Sequence, residues 1–152
     1  MRRDGVRESA AAILLDEGGC LLMQLRDDVP NIREPGKIGL FGGRPEGDES
    51  FLDCIVREIQ EELGYYLPPS RFELLARWSG PDYAAPEGAI HAELFLARGV
   101  PVEKLTIAEG ALKIVAIEEL EQVRPLLSLP TRYALDTFLP RIIAPVSRLS
   151  SA

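Results

Sequence analysis

Between Gly43 and Tyr65 the chain reads GRPEGDESFLDCIVREIQEELGY, and this spacing prescribes a loop, a helix and a second loop. The stretch fills every specified slot of G-x5-E-x7-R-E-U-x-E-E-x-G-U, where U is a bulky apolar residue. The slots are Gly43, Glu49, Arg57, Glu58, Ile59, Glu61, Glu62, Gly64 and Tyr65. At average composition such a set of matches from one start point has a chance on the order of one in a billion. The helix is punctuated at both ends. Ser50 with Asp53 fits a capping box, and Gly64 stands where a left-handed C-terminal residue is wanted. Leu52, Ile55, Val56, Ile59 and Leu63 form one apolar face at helical spacing, and Cys54 falls on that side. Pro68-Pro69 prevents the helix from continuing.

Glu58, Glu61 and Glu62 are spaced i, i+3, i+4, so they crowd one side of this helix. Three carboxylates there repel, at a few tenths of a kcal/mol per exposed pair. A divalent cation turns that repulsion into coordination, and carboxylate oxygen suits Mg2+ or Mn2+. The bland alternative is a solvated acidic face. Arg57 can form a bidentate pair with Glu49 or an i,i+4 pair with Asp53, and the two can coexist. Gly42 and Gly43 let the backbone approach a ligand without a Cβ in the way, or simply end a strand in a turn.

The whole pattern is the signature of the Nudix (MutT-type) hydrolases, and the chain resembles that family. The resemblance implies an α/β (α+β) fold, an α/β/α sandwich with a mixed sheet whose catalytic motif is loop, helix and loop. It implies a hydrolase acting on phosphoric anhydride bonds, cleaving a nucleoside diphosphate linked to another moiety by metal-activated water attack. Glu58, Glu61 and Glu62 are then metal ligands, joined by a backbone carbonyl at Gly42 or Gly43. Glu49 and Arg57 hold the metal-binding helix against the preceding loop. The general base is a box glutamate, Glu61 or Glu62, or a late glutamate. Glu109, followed by Gly110, looks like that late position, with Glu103, Glu118 and Glu119 as rivals. Members often pair, so a homodimer is the expectation. The pattern departs from the family at Asp48, where a glycine is usual, at Ile38, where an aromatic often stands, and at Tyr65, an aliphatic slot.

Substrate contacts are less constrained. Phe41, Trp78 and Tyr83 are candidates to stack on a base, each with a core or loop-packing alternative. Arg26 and Arg44 are candidates for phosphate, or solvated arginines. The single histidine, His91, reads as structural. The only asparagine, Asn31, lies upstream of the box, which argues against a late asparagine reading an oxidised guanine.

The remaining chain supports one layered domain over 1–152, with the box at 43–65. Ala10–Leu15 and Cys20–Leu25 read as a strand hairpin, and 26–36 as a loop. Lys37–Phe41, Phe72–Trp78, Ala89–Ala97 and Leu112–Ile117 read as strands, with 79–88 a loop. Glu118–Val123 reads as a short helix. Pro130–Ile143 reads as a long one, with Tyr133, Leu135, Phe138, Leu139 and Ile142 on its apolar side and 146–152 a flexible tail.

A net charge of −7 argues against a nucleic-acid polymer as partner, while metal allows a small phosphate ligand. No segment reads as a membrane span or a signal peptide. Two cysteines without close spacing read as reduced thiols, which suits the cytoplasm. The reading is therefore an Mg2+-dependent pyrophosphohydrolase, leaning to nucleoside triphosphates because an extra N-terminal sheet region seen in many ADP-ribose hydrolases is not apparent. ADP-ribose or nucleotide-sugar hydrolysis, or a non-catalytic nucleotide-sensing module, are the alternatives.

Overall fold

A computed structural model describes residues 6–30, 34–82 and 85–151, with backbone alone at 85, 86 and 144–151. The spine is β1 (Val6–Asp16), whose apolar run Ala10–Leu15 is buried from both sides apart from Ala11. Continuous burial is what a strand between two helical layers requires. On one side β1 pairs in parallel with β6 (Ala85–Val100), from Val6↔Ala89 to Asp16↔Val100. On its other side two short strands share its length. β4 (Phe41–Gly43) lies antiparallel along Ala10–Ala12, and β2 (Leu21–Leu25) along Leu14–Leu15. β5 (Glu73–Asp82) completes one edge on β6. β3 (Ile38–Gly39) and β7 (Ala111–Val115) both pair with β2.

Strand alternation divides the core. Ala10, Ala12, Leu14 and Phe95 face α1 (Phe51–Leu63), which buries Cys54, Ile55, Ile59 and Leu63 against them. Ile13, Leu15 and Leu96 face α3 (Leu129–Ser151), which contributes Leu135, Leu139 and Ile142. The sheet thus lies between the two long helices, and α2 (Leu120–Val123) is a single turn before α3. Each fully buried Ile or Leu contributes about 2 kcal/mol from water exclusion.

Local chemistry sets both ends of α1. The Ser50 hydroxyl accepts from the Asp53 amide at 3.0 Å. Gly64 takes φ 62°, and its N–H reaches the Gln60 carbonyl at 2.9 Å. The last-turn carbonyls of Glu62 and Leu63 accept from the amides of Ala108 and Thr106, at 3.0 and 2.8 Å. Those two bonds lay the segment before β7 across the end of the helix.

Four sequence expectations change. Residues 79–82 and 85–88 are strand, not loop. Gly80 and Pro81 favour turns locally, but β5 is an edge strand, where proline is tolerated. The expected strand over Lys37–Phe41 divides at Leu40, whose amide donates to Thr131 Oγ1 at 3.2 Å. Tyr133 is 62% exposed rather than packed. The second long helix does not end at Ile143; helical backbone continues through 146–151 to Ser151, and residue 152 lies outside the described residues. No glycine intervenes after Ile143, and Pro140 and Pro145 each remove only one donor from the ladder.

Ile13→Ala should cost about 3 kcal/mol in a urea melt, because Ile13 is fully buried between sheet and α3. Tyr133→Ala should stay within about 0.5 kcal/mol of wild type. Similar losses for the two would contradict the core assignment.

Candidate active site

The site begins where α1 meets β4, and two glycines make the meeting close. A Cβ at Gly43 would overlap the Glu58 carboxylate. A Cβ at Gly42 would overlap the backbone of Ala10 and Ala11 on β1. The Gly42 amide instead donates to Glu62 Oε2 at 3.2 Å. Glu58 and Glu62, one turn apart, therefore both lie on the strand side of the helix, with Glu58 only 18% exposed. Glu61, on the next position round, is 57% exposed.

Arg57 ties this helix to the preceding loop. Its Nε and Nη2 donate to Glu49 Oε2 and Oε1 at 2.8 and 2.9 Å, a bidentate pair. Nη2 also donates to the Arg44 carbonyl at 3.0 Å. Nη1 reaches Glu58 Oε1 at 3.0 Å and Glu61 Oε1 at 3.1 Å. Glu49 Oε1 in turn accepts from the Glu46 amide at 3.0 Å. Of the two pairings open to Arg57 from sequence, the structure takes the one with Glu49. The Arg57 guanidinium holds Glu49 below its ordinary proton affinity.

The opposite wall comes from chain far from the box. Gln24 Nε2 donates to the Glu109 carbonyl at 3.1 Å. Gly110 has φ 68°, and a Cβ there would overlap the Leu25 carbonyl, so only glycine lets this loop lie so close to β2. The loop thereby brings the Glu109 charge within reach of Glu62. Arg26, just past β2, acts on the same carboxylate with opposite sign.

Burial pushes Glu62 up to about 8, reinforced by repulsion from Glu58 and Glu109 and opposed by the Gly42 amide and Arg26. Burial also raises Glu58, against the pull of Arg57. Two carboxyls thus sit where their charged forms are undersupported, and the ligating atoms they offer are oxygens, the donor chemistry hard divalent cations take. The glycine cradle and these carboxyls fit such an ion. Among the described residues no three acidic, histidine or cysteine side chains already close around one point. Glu58 and Glu61 each give one oxygen to Arg57.

The sequence-derived site residues therefore separate into groups. Glu49, Arg57, Glu58, Glu61, Glu62, Gly42, Gly43, Glu109 and Arg26 come together, and Arg44 joins through its carbonyl. Phe41 does not qualify as a stacking residue: it is fully buried in the core beneath α1, where a base cannot reach it. Trp78 is 47% exposed, on β5 rather than beside the carboxylates. Tyr83 and Asn31 lie outside the described residues. His91 accepts or donates at Nδ1 to the Ser79 hydroxyl, 2.8 Å away. Glu119 accepts from the Ala116 amide at 3.2 Å, so this rival base serves its own turn. Sequence reasoning missed Gln24, Thr106 and Ala108. Their roles arise from bonds to the carbonyls of distant segments, from the Gln24 side chain and from the Thr106 and Ala108 amides, which no local pattern encodes.

A family model described as NUDIX domain matches residues 5–138. Solved structures with the same fold include the MutT NUDIX hydrolase from Burkholderia pseudomallei, 29% identical, with TM-score 0.67, covering 86% of this chain and 96% of that one. The MutT protein from Methanosarcina mazei Go1 is 20% identical with TM-score 0.70, covering 91% and 96%. The NUDIX domain of Shewanella oneidensis NrtR, complexed with ADP ribose, is 18% identical with TM-score 0.70, covering 92% and 90%. No curated protein matches the chain.

Glu62 sets a pH dependence of stability in metal-free buffer. The unfolded chain releases this proton near 4.5, the folded protein near 8. Folding is therefore disfavoured progressively as pH rises from 4.5 to 8, and the penalty is constant above that. Glu62→Gln removes it. The variant should match wild type near pH 4 and exceed it by on the order of 2 kcal/mol at pH 8.5 in urea melts, allowing for solvent screening. A variant less stable than wild type at pH 8.5 would contradict the burial assignment.

Proposed function

The chain belongs to the Nudix family, and from that premise we propose a divalent-metal-dependent pyrophosphohydrolase acting on a nucleoside diphosphate linked to another moiety. Family membership makes the chain a Nudix pyrophosphohydrolase, and such hydrolases generally use divalent metal ions. The observation that carries the finer reading is the pair Glu58 and Glu62, sunk against Gly42 and Gly43 with raised proton affinity. A pair of carboxyls built only for stability would not be left so poorly supported.

In this reading Glu58, Glu61 and Glu62 supply metal oxygens, with a carbonyl at Gly42 or Gly43 available beside them. A bound Mg2+ or Mn2+ supplies charge neutralisation of the diphosphate, acidification of the attacking water and stabilisation of the departing phosphate. Arg57 positions the three glutamates by fixing α1 to the Glu46–Glu49 loop. Glu109 takes the proton of the attacking water: its loop is held to β2 by Gln24, and its charge acts on Glu62. Arg26 attracts the anionic substrate from the same side. Water attacks phosphorus, the anhydride P–O bond breaks, and the products are a phosphorylated nucleoside and the released phosphate or X group.

Nucleoside triphosphates stand first as substrates. ADP-ribose is the second reading, favoured by the ADP-ribose complex of the S. oneidensis relative, whose fold spans nearly all of this chain. The intact box glutamates, Glu49, Glu58, Glu61 and Glu62, favour an enzyme over a nucleotide sensor. Two free thiols, Cys20 and Cys54, suit the cytoplasm. Among the described residues no helix is long and apolar enough to cross a membrane.

A panel of nucleoside triphosphates, ADP-ribose and nucleotide sugars, assayed with Mg2+ and with chelator, should show turnover of one class that chelator abolishes. On that substrate Glu62→Gln should lower kcat by about 100-fold or more, as loss of an electrostatic stabiliser does. Glu109→Gln should lower it by ~100- to 10,000-fold and remove one limb of the pH profile. Wild-type turnover in Glu62→Gln would overturn the metal assignment, and in Glu109→Gln the base assignment.

A further inference from the structure

β2 carries one buried polar side chain in an otherwise apolar strand. Leu21, Leu22 and Met23 are fully buried, and Gln24, which follows them, is 7% exposed. Alternation puts Gln24 on the face of Leu22, the face that packs under α1. The register sets it level with Leu112 of β7, which packs against that same cluster. An apolar residue would serve the core there, and a buried amide costs stability unless it is hydrogen-bonded. The bond it makes is not part of the sheet. Nε2 donates to the Glu109 carbonyl at 3.1 Å, 85 positions along the chain.

Local conformation leaves the accepting peptide unit undetermined. β7 begins at Ala111, so Glu109 lies outside the ladder. Gly110 follows it with φ 68°. Glycine takes positive and negative φ with similar ease, so residue 110 does not itself fix the direction of the carbonyl before it. On the other side of Glu109, the Ala108 amide donates to the Glu62 carbonyl at 3.0 Å, and the Thr106 amide to the Leu63 carbonyl at 2.8 Å. The backbone around Glu109 is thus held at both sides, by the last turn of α1 before it and by Gln24 after it. The α1 bond refers the loop to Glu62 itself. The Gln24 bond sets the peptide plane from which the Glu109 side chain departs.

We infer that Gln24 is a positioning residue for the hydrolysis: by gripping the Glu109 carbonyl it sets where the Glu109 carboxylate stands relative to Glu62. This role rests on the reading of Glu109 as the base that takes the proton of the attacking water. Gln24 acts through Glu109 and not on the substrate. A reacting group displaced by about 1 Å loses on the order of 100-fold in rate, so one hydrogen bond at this peptide is enough to matter. A glutamine with a purely structural role would change stability and leave the effect of Glu109 as it is.

Gln24→Met keeps the length of the side chain and removes its N–H donor. Wild type, Gln24→Met, Glu109→Gln and the double variant are assayed with Mg2+ on ATP, GTP, CTP, UTP, ADP-ribose and UDP-glucose. On whichever is turned over, Gln24→Met should lower kcat by about 10- to 100-fold with KM close to wild type, and should lower it no further once Glu109 is replaced. In the metal-free protein, 15N relaxation should show the Glu109 and Gly110 amides loosened in Gln24→Met, while Thr106 and Ala108, bonded to α1, keep their order. Melting curves check the fold, and Gln24→Leu takes the place of the methionine variant if that one unfolds. Wild-type kcat in Gln24→Met, an equal loss with and without Glu109, or unchanged relaxation at 109 and 110 would each overturn the positioning role and leave the hydrolase standing. No turnover of any of these nucleotides by wild type, or wild-type turnover in Glu109→Gln, would instead sink the reading of the site on which that role rests.

Discussion

The arrangement depends on one guanidinium. Arg57 connects the loop before α1, through Glu49 and the Arg44 carbonyl, with two acidic side chains of the helix, Glu58 and Glu61. Its planar fork can satisfy Glu49 with two parallel bonds and still present Nη1 to the other carboxylates, which a lysine cannot do. Without that charge Glu58 and Glu61 would lose their guanidinium partner, and the Glu46–Glu49 loop would lose its anchor. The pair with Glu49 is largely shielded, which makes it worth more than an exposed ion pair. The arginine thus stabilises the same cluster that a divalent ion would complete.

The second constraint is room. α1 can lie against β4 only because residues 42 and 43 have no side chains, and against β1 only over small residues at 10 and 12. This close approach buries Glu58 and Glu62 and raises their proton affinities. Packing and chemistry are therefore the same feature here: the glycines that complete the fold also create the carboxyl environment. Bonds from Thr106 and Ala108 to the last turn of α1, and from Gln24 to the Glu109 carbonyl, then set the opposing wall.

Most of this was legible in the chain where the signal is local. Ser50, the apolar face of α1 and Gly64 specify a helix within one stretch, and the spacing of Glu49 and Arg57 specifies its tie to the loop. Glu109 was legible only by resemblance, since its nearness to Glu62 depends on β2, β7 and Gly110 meeting. Edge-strand context reversed the reading of Gly80 and Pro81, residues that locally favour turns. Phe41 looked available for stacking because nothing local shows that β4 lies under α1.

The central claim is that the α1 carboxylates are a cation site built by burial. Titration of the purified protein with Mn2+, following the free-ion electron paramagnetic resonance signal, tests it without any substrate. Wild type should remove Mn2+ from solution, and Glu58→Gln should weaken that uptake at least tenfold, since a neutral amide is a poorer ligand in the same place. Equal Mn2+ affinity in wild type and Glu58→Gln would contradict the account, and would return the buried pair to an unexplained feature of the fold.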